Sequence, residues 1–300
     1  MNGSLESSPM LKELLGIGGG TRVCAVIGDP IEHSLSPPIH NAAFRSLGMD
    51  FVYVAFRVRR TELARAIAGI RALGIVGLNV TIPHKTSVVR FLDTLEKTAR
   101  EIGAVNTITT SSRGLRGYNT DGQASLEVLQ TLGGSLSGTK ATILGAGGAA
   151  RAITYYLSKT VASISILNRT RAKGSGLASE ITRWSGNECS SYQLSNANLR
   201  KETSESDILI NTLPVQAFPR FAKTLTHERL VRAGMIVFDA NYHQESSFLA
   251  DAQSVGAKVS DGLDMLVSQA ALSFELWTGR KPPIDVMHAA ALKAKQARMS

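Results

Sequence analysis

The chain has 300 residues, 43% of them hydrophobic and 19% charged, with a formal charge of +9 and a pI near 9.7. That length is where one core usually divides into two domains. No run approaches the ~20 apolar residues of a membrane span, no basic-then-apolar leader opens the chain, and two distant cysteines, Cys24 and Cys189, make no disulfide framework, so we expect a cytoplasmic protein without membrane contact.

Residues 1–20 are rich in Ser and Gly and read as a mobile tail. From Thr21 strand and helix patterns alternate: strands over 22–27, 51–58, 78–81 and 104–109, helices over 38–47, 62–73, 86–92 and 95–102. Pro38 near a helix start with Gly48 after its end, then Thr61 as cap and Gly74 as stop, are fitting punctuation. Thr120 is placed as the N-cap of a helix through Leu132 that carries the chain into a second α/β unit. There, strands are expected over 141–144, 163–167, 207–212, 235–240 and 258–260. A long apolar stripe follows, Leu263, Leu266, Val267, Ala270, Phe274 and Trp277, which reads as core, and a basic last helix begins at Asp285. The expected fold is α/β: two α/β domains around a cleft, the second a Rossmann-type doubly wound parallel sheet.

Residues 140–170, KATILGAGGAARAITYYLSKTVASISILNRT, carry the strongest signal, a βαβ unit with a G-x-G-x-x-A turn. Gly145 permits the tight turn, Gly147 lets backbone approach a pyrophosphate, and Ala150 allows the helix to pack on the strand. The helix N-terminus then presents free N–H groups and its positive dipole end to phosphate. After the second strand stand Asn168, Arg169 and Thr170, with no Asp or Glu for a ribose 2′-hydroxyl. Arg169, with Arg171 or Lys173 one turn on, suits a 2′-phosphate, so NADP(H) is expected over NAD(H).

Three polar stretches of the first unit fall at strand ends, where open α/β sheets place ligands. In GDPIEHSLSPPIHN, Ser34 and Ser36 set two hydroxyls beside a helix start, which serves a carboxylate or merely caps. In GLNVTIPHK, Lys85 follows a buried-looking strand, a place where snorkelling lysines are also common. GAVNT and GYNTDG supply Asn106, Asn119, Thr120 and Asp121, residue types that also populate turns. The six histidines, His33, His40, His84, His227, His243 and His288, show no paired ligand spacing, and no metal site is expected. Scattered Lys and Arg with only 6% aromatic residues do not suit nucleic acid. Steering of anionic small molecules and a basic surface of no specific role remain as readings of the net charge.

Together these segments, GDPIEHSLSPPIHNAAF, GLNVTIPHK, GAVNTI, GYNTDG, LGAGGAARA, NRT and GLDMLVSQAALSFELWTG, closely resemble the shikimate dehydrogenase family. The resemblance implies reversible reduction of 3-dehydroshikimate to shikimate by NADPH, a step towards chorismate and the aromatic amino acids. It implies a substrate-binding catalytic domain over 21–121, completed by 262–300, and an NADP-binding domain over 122–261. Lys85 and Asp121 correspond to the catalytic pair. Ser34 and Ser36, with Tyr242 from the second domain, correspond to the holders of the substrate carboxylate, and Asn79, Thr81, Asn106 and Gln269 to further substrate contacts. Cofactor contacts are implied at Gly145, Ala146, Gly147, Gly148, Ala149, Asn168, Arg169, Thr170, Lys173, Thr212, Gly262 and Met265.

The family pattern is broken twice. INTLPVQAF places Leu213, Gln216 and Ala217 where Thr, Gly and Met are usual, in a loop that borders the nicotinamide, and NYHQ lacks the usual Pro after Tyr242. Two alternatives are an NAD-using quinate/shikimate dehydrogenase, which commonly has Thr in place of Ser36, and a nucleotide-sensing homologue without turnover, expected to lose Lys85 or Asp121. The protein is expected to act as a monomer or homodimer.

Overall fold

Strand–helix alternation produces two six-stranded sheets. The computed structural model describes residues 16–214, 217–242 and 247–298, so most of the expected tail and part of the 213–217 loop lie outside the described residues. The first sheet holds β1 (Arg22–Gly28), β2 (Phe51–Arg57), β3 (Gly77–Val80), β4 (Thr94–Leu95), β5 (Thr107–Ser111) and β6 (Gly114–Tyr118), in the order β2-β1-β3-β5-β6-β4. β1 is parallel to β2 and β3, whereas β5 is antiparallel to both β3 and β6.

The second sheet holds β7 (Lys140–Leu144), β8 (Ser163–Asn168), β9 (Glu188–Gln193), β10 (Ile208–Asn211), β11 (Ile236–Asp239) and β12 (Lys258–Asp261). Its order is β12-β11-β10-β7-β8-β9 and every pair is parallel, which is the doubly wound arrangement expected. The strand order reverses between β7 and β10, so a ligand crevice belongs at the carboxyl ends of those strands.

Burial explains how the sheets are held. Ile143, Ile153, Ile166 and Ile210 of the second sheet and its helices share one apolar cluster with Ile102, Ala104, Ala124 and Val128, so the core runs on under the junction with the first sheet. One face of the first sheet packs against the Ser36–Ser46, Gly262–Thr278 and Ile284–Gln296 helices, through Cys24, Tyr53, Phe44, Phe274, Trp277 and Met287. Gly77 is needed there, because a Cβ would lie 2.4 Å from the Trp277 indole. Of the stripe read from the sequence, Leu263, Val267, Ala270, Phe274 and Trp277 are buried and Leu266 is half-buried.

Several expectations change for local reasons. Residues 86–92 form turns and a single 3-10 segment, Val89–Phe91, rather than a helix; the next helix, Lys97–Ile102, starts only where Glu96 accepts from the Thr98 and Ala99 amides at 2.7 and 3.3 Å. The 62–73 helix begins at Leu63 after a 3-10 turn over Arg60–Glu62, so Thr61 is not its cap. Thr120 stands at the N-cap position of the Asp121–Gly133 helix but makes no side-chain cap bond. Its hydroxyl instead donates to the Gln269 carbonyl at 3.1 Å. Sequence reading did not find β4, β6 or β9.

Candidate active site

β3 ends where its antiparallel neighbour β5 begins, and the Asp121–Gly133 helix starts just past the end of β6 beside them; this places three separate stretches of sequence at one point. The Lys85 ammonium donates to Asp121 Oδ2 at 2.6 Å, with the two side chains 16% and 4% exposed. The other carboxylate oxygen accepts from Asn106 Nδ2 at 2.9 Å. The same amide faces Thr120 Oγ1 at 2.8 Å and Gln269 Oε1 at 3.2 Å, while Asn106 Oδ1 accepts from the Thr120 amide at 2.8 Å. Asp121 is therefore held through both oxygens, by a cation on one side and an amide on the other. Such a charge-assisted bond in a poorly hydrated place is stronger than its surface counterpart.

A second tier supports the first. Tyr53 Oη donates to Asn79 Oδ1 at 2.6 Å, and Asn79 Nδ2 faces the Asn106 carbonyl, Thr107 Oγ1 and Ser273 Oγ at 3.1, 3.2 and 3.1 Å. Desolvation is the largest of the causes that push the buried Tyr53 phenol well above its ordinary pKa. The His40 ring stacks on Tyr53 with centroids 4.3 Å apart, and among the described residues neither ring nitrogen has a hydrogen-bond partner. Its burial pushes the imidazole down to about 3, the nearby Asn79 side chain opposing the shift.

The glycine turn meets this network. Gly145 has φ of 114°, and a Cβ there would stand 2.4 Å from Thr212 Oγ1, so only glycine fits. Around Gly147 a Cβ would find open space within 4 Å, and Gly148 opens the Gly148–Leu157 helix with free amides. A Cβ on Gly148 would lie 3.0 Å from Lys85 Cβ. The turn thus lies directly on the Lys85 side chain. From the same helix Arg151 Nε donates to the Ile102 carbonyl at 2.7 Å, and Tyr155 bonds Glu101, which ties the turn to the first sheet's side. The turn's shape, its open amides and the exposed Arg169, Arg171 and Lys173, none of them ion-paired among the described residues, fit a dinucleotide with a further phosphate.

Known proteins share both halves of this arrangement. The family described as the shikimate dehydrogenase substrate binding domain matches residues 26–108, shikimate / quinate 5-dehydrogenase matches 127–238, and the shikimate 5'-dehydrogenase C-terminal domain matches 262–292. A shikimate dehydrogenase (NADP(+)) of Moorella thermoacetica is 41% identical over 276 residues, 91% of this chain and 94% of that one. The chain belongs to the shikimate dehydrogenase family. Among solved structures, a shikimate dehydrogenase in complex with NADP+ superposes with a TM-score of 0.82 at 39% identity, covering 92% of this chain and 96% of that one. The Thermus thermophilus shikimate 5-dehydrogenase in complex with NADP(H) and shikimate gives 0.78 at 34% identity, covering 91% and 99%.

Within this shikimate dehydrogenase fold the residues singled out from sequence fall into three groups. Lys85, Asn106, Asp121, Gln269 and Asn79 form one bonded network. The second group is the serine side of the cleft. Ser34, half-buried, accepts from the Ser36 amide at 3.2 Å, and Ser36 is buried at the start of its helix. Thr81 is half-buried, its methyl beside Gly28 and its amide donating to the Ile27 carbonyl at 3.0 Å. Tyr242 packs against the apolar cluster of the first sheet, and burial pushes its phenol up to about 12, Arg298 acting in the opposite direction. The third group is the nucleotide side. Asn168 donates to the Thr170 carbonyl at 2.9 Å, Thr212 donates to the Leu144 carbonyl at 2.7 Å, a Cβ on Gly262 would meet the Ala240 carbonyl at 2.4 Å, and Met265 is buried. Of the unusual loop, Leu213 is buried in the core with Leu144 and Phe218, Ala217 is exposed, and Gln216 lies outside the described residues. Sequence reading missed Tyr53, Thr107 and Ser273. Ser273 is one helical turn from Gln269, and that spacing was the one signal available.

Proposed function

We infer that this protein is an NADP-dependent shikimate dehydrogenase, interconverting 3-dehydroshikimate and shikimate. The observation that carries the reading is the Lys85–Asp121 pair, 2.6 Å apart, lying under Gly148 of the nucleotide turn. NADP, when bound at that turn, supplies or accepts the hydride. A carbonyl that gains hydride develops negative charge on oxygen, and that charge needs stabilisation and a proton in the transition state. Lys85 as an ammonium does both: it donates its proton to the oxygen and is left neutral. In the oxidative direction neutral Lys85 takes the hydroxyl proton. Asp121 orients Lys85, and Asn106 prevents Asp121 from turning away.

For the remaining contacts, position and chemistry support Ser34, Ser36 and Tyr242 as the carboxylate end, and Thr81, Asn79, Asn106 and Gln269 as the ring-hydroxyl end. Arg169, Asn168, Thr170 and Lys173 suit the adenosine 2′-phosphate, while Gly145, Ala146, Gly147, Gly148 and Ala149 suit the pyrophosphate, and Thr212, Gly262 and Met265 complete the proposed cofactor contacts. We take 21–121 with 262–300 as the substrate domain and 122–261 as the nucleotide domain. Cys24 and Cys189 are both free thiols, which agrees with a cytoplasmic location.

Absorbance at 340 nm tests the reading, with shikimate or quinate paired in turn with NADP or NAD. Shikimate with NADP is expected to be fastest. Quinate with NAD outrunning it would replace the assignment.

A further inference from the structure

The last helix ends at a place that the family match does not reach. The matched families stop at residue 292, yet the helix Ile284–Gln296 continues and Arg298 follows it. Three contacts fix where that end lies. Met287 and Ala291 are buried among Ile39, Ala43 and Phe44 of the Ser36–Ser46 helix. His288 bonds Asp264 at 3.0 Å, and Lys295 Nζ donates to Asp261 Oδ2 at 2.5 Å, so the helix is anchored to the first turn of Gly262–Thr278.

From there Arg298 turns back over the serine loop. One guanidinium nitrogen donates to the His33 carbonyl, and the other donates to the Ser34 carbonyl at 3.0 Å. A planar fork on two successive carbonyls fixes both direction and distance, which a lysine ammonium cannot do to the same degree. The loop it grips is the one whose Ser34 Oγ accepts from the Ser36 amide at 3.2 Å. Tyr242, from the other side of the cleft, feels the same positive charge. Arg298 therefore holds the main chain at Ser34, and through the Ser34–Ser36 bond it bears on the serine side assigned above to an anionic group.

We propose that Arg298 is a positioning residue for the carboxylate end of the substrate, clamping the main chain of the 33–34 loop so that the Ser34 and Ser36 hydroxyls stand ready for an anion. The proposal rests on the functional reading above for the identity of that anion. Its charge adds attraction, but the fork is what orders the loop, since both arms are spent on carbonyls. The contact is exposed, so the effect is modest.

Two variants of the full chain test it. Arg298→Ala should raise KM for shikimate about three- to tenfold, leaving kcat and KM for NADP within about twofold. Arg298→Lys keeps the charge and loses the fork, and should recover only part of the difference. Without substrate, amide hydrogen exchange over 31–36 should quicken in Arg298→Ala and less so in Arg298→Lys. An unchanged shikimate KM together with unchanged exchange overturns the proposal, as does a rise in both KM values in equal measure, which would mark Arg298 as a general brace. If the wild-type protein turns over no shikimate, the functional reading fails, and the exchange result still decides whether Arg298 orders the loop.

Discussion

At the ends of β7 and β8 the surface offered to a ligand is mostly main chain, whereas at the end of β3 and the start of β5 it is mostly side chain. The glycine turn works because Gly145, Gly147 and Gly148 remove Cβ atoms, one of which would strike Thr212 and another Lys85. The facing site works because Lys85, Asn106, Asp121 and Gln269, up to 184 residues apart in sequence (269 minus 85), bond to one another. On the proposed reading, the main-chain site takes what every dinucleotide shares, and the side-chain network takes one substrate and moves its proton. That division makes the two sites separable by mutation.

The largest effect is expected from Lys85→Ala, which should lower kcat by on the order of 10²–10⁴ while NADPH still binds; loss of both together would show that the sites are not separable. Next, Arg169→Ala should weaken NADP by roughly 10- to 150-fold and leave NAD nearly unaffected, read by the ratio of the two dissociation constants. An equal loss for both would mean that Arg169 does not meet the 2′-phosphate. Gly145→Ala sharpens the main-chain half of the comparison: with φ of 114° and a 2.4 Å clash with Thr212, it should cost stability. A melting curve should register about 1–3 kcal/mol, with cofactor affinity falling in parallel.

The smallest effect per step concerns the supporting tier. His40 is pushed down to about 3 in the folded protein, against about 6.5 when unfolded. Between those pH values the unfolded state binds the extra proton, so His40 favours the fold above about pH 6.5 and that contribution is lost as pH falls towards 3, by at most about 1.4 kcal/mol per unit. His40→Phe keeps the stack on Tyr53 and should flatten the acid limb of a stability–pH curve. An unaltered limb would place the acid sensitivity elsewhere.

The same contrast governs what could be read from the residues alone. The turn was legible because its glycines fall within four residues and sit between an apolar strand and a helix, a local pattern with a local cause. The network was not, since Lys85, Asn106 and Asp121 read singly as a surface lysine and turn residues; only their joint resemblance to a family assembled them. Thr120 misled because a threonine before a helix usually caps it, and here burial against Gln269 offers its hydroxyl a better partner. β9, ECSSYQ, escaped notice as a polar, half-exposed edge strand, and β6, GLRGY, because two glycines break the apolar alternation. Helix was expected over 86–92 from apolar spacing, but the turns after Pro83 and the pairing of β4 with β6 compete for that chain.

A crystal structure of the complex with shikimate and NADP tests the central claim most directly, through the distance from Lys85 Nζ to the substrate oxygen that is oxidised. The account predicts about 2.6–3.2 Å, with Asp121 still bonded to Lys85. A lysine turned out of the cleft, or an oxygen held by other groups beyond its reach, would contradict it.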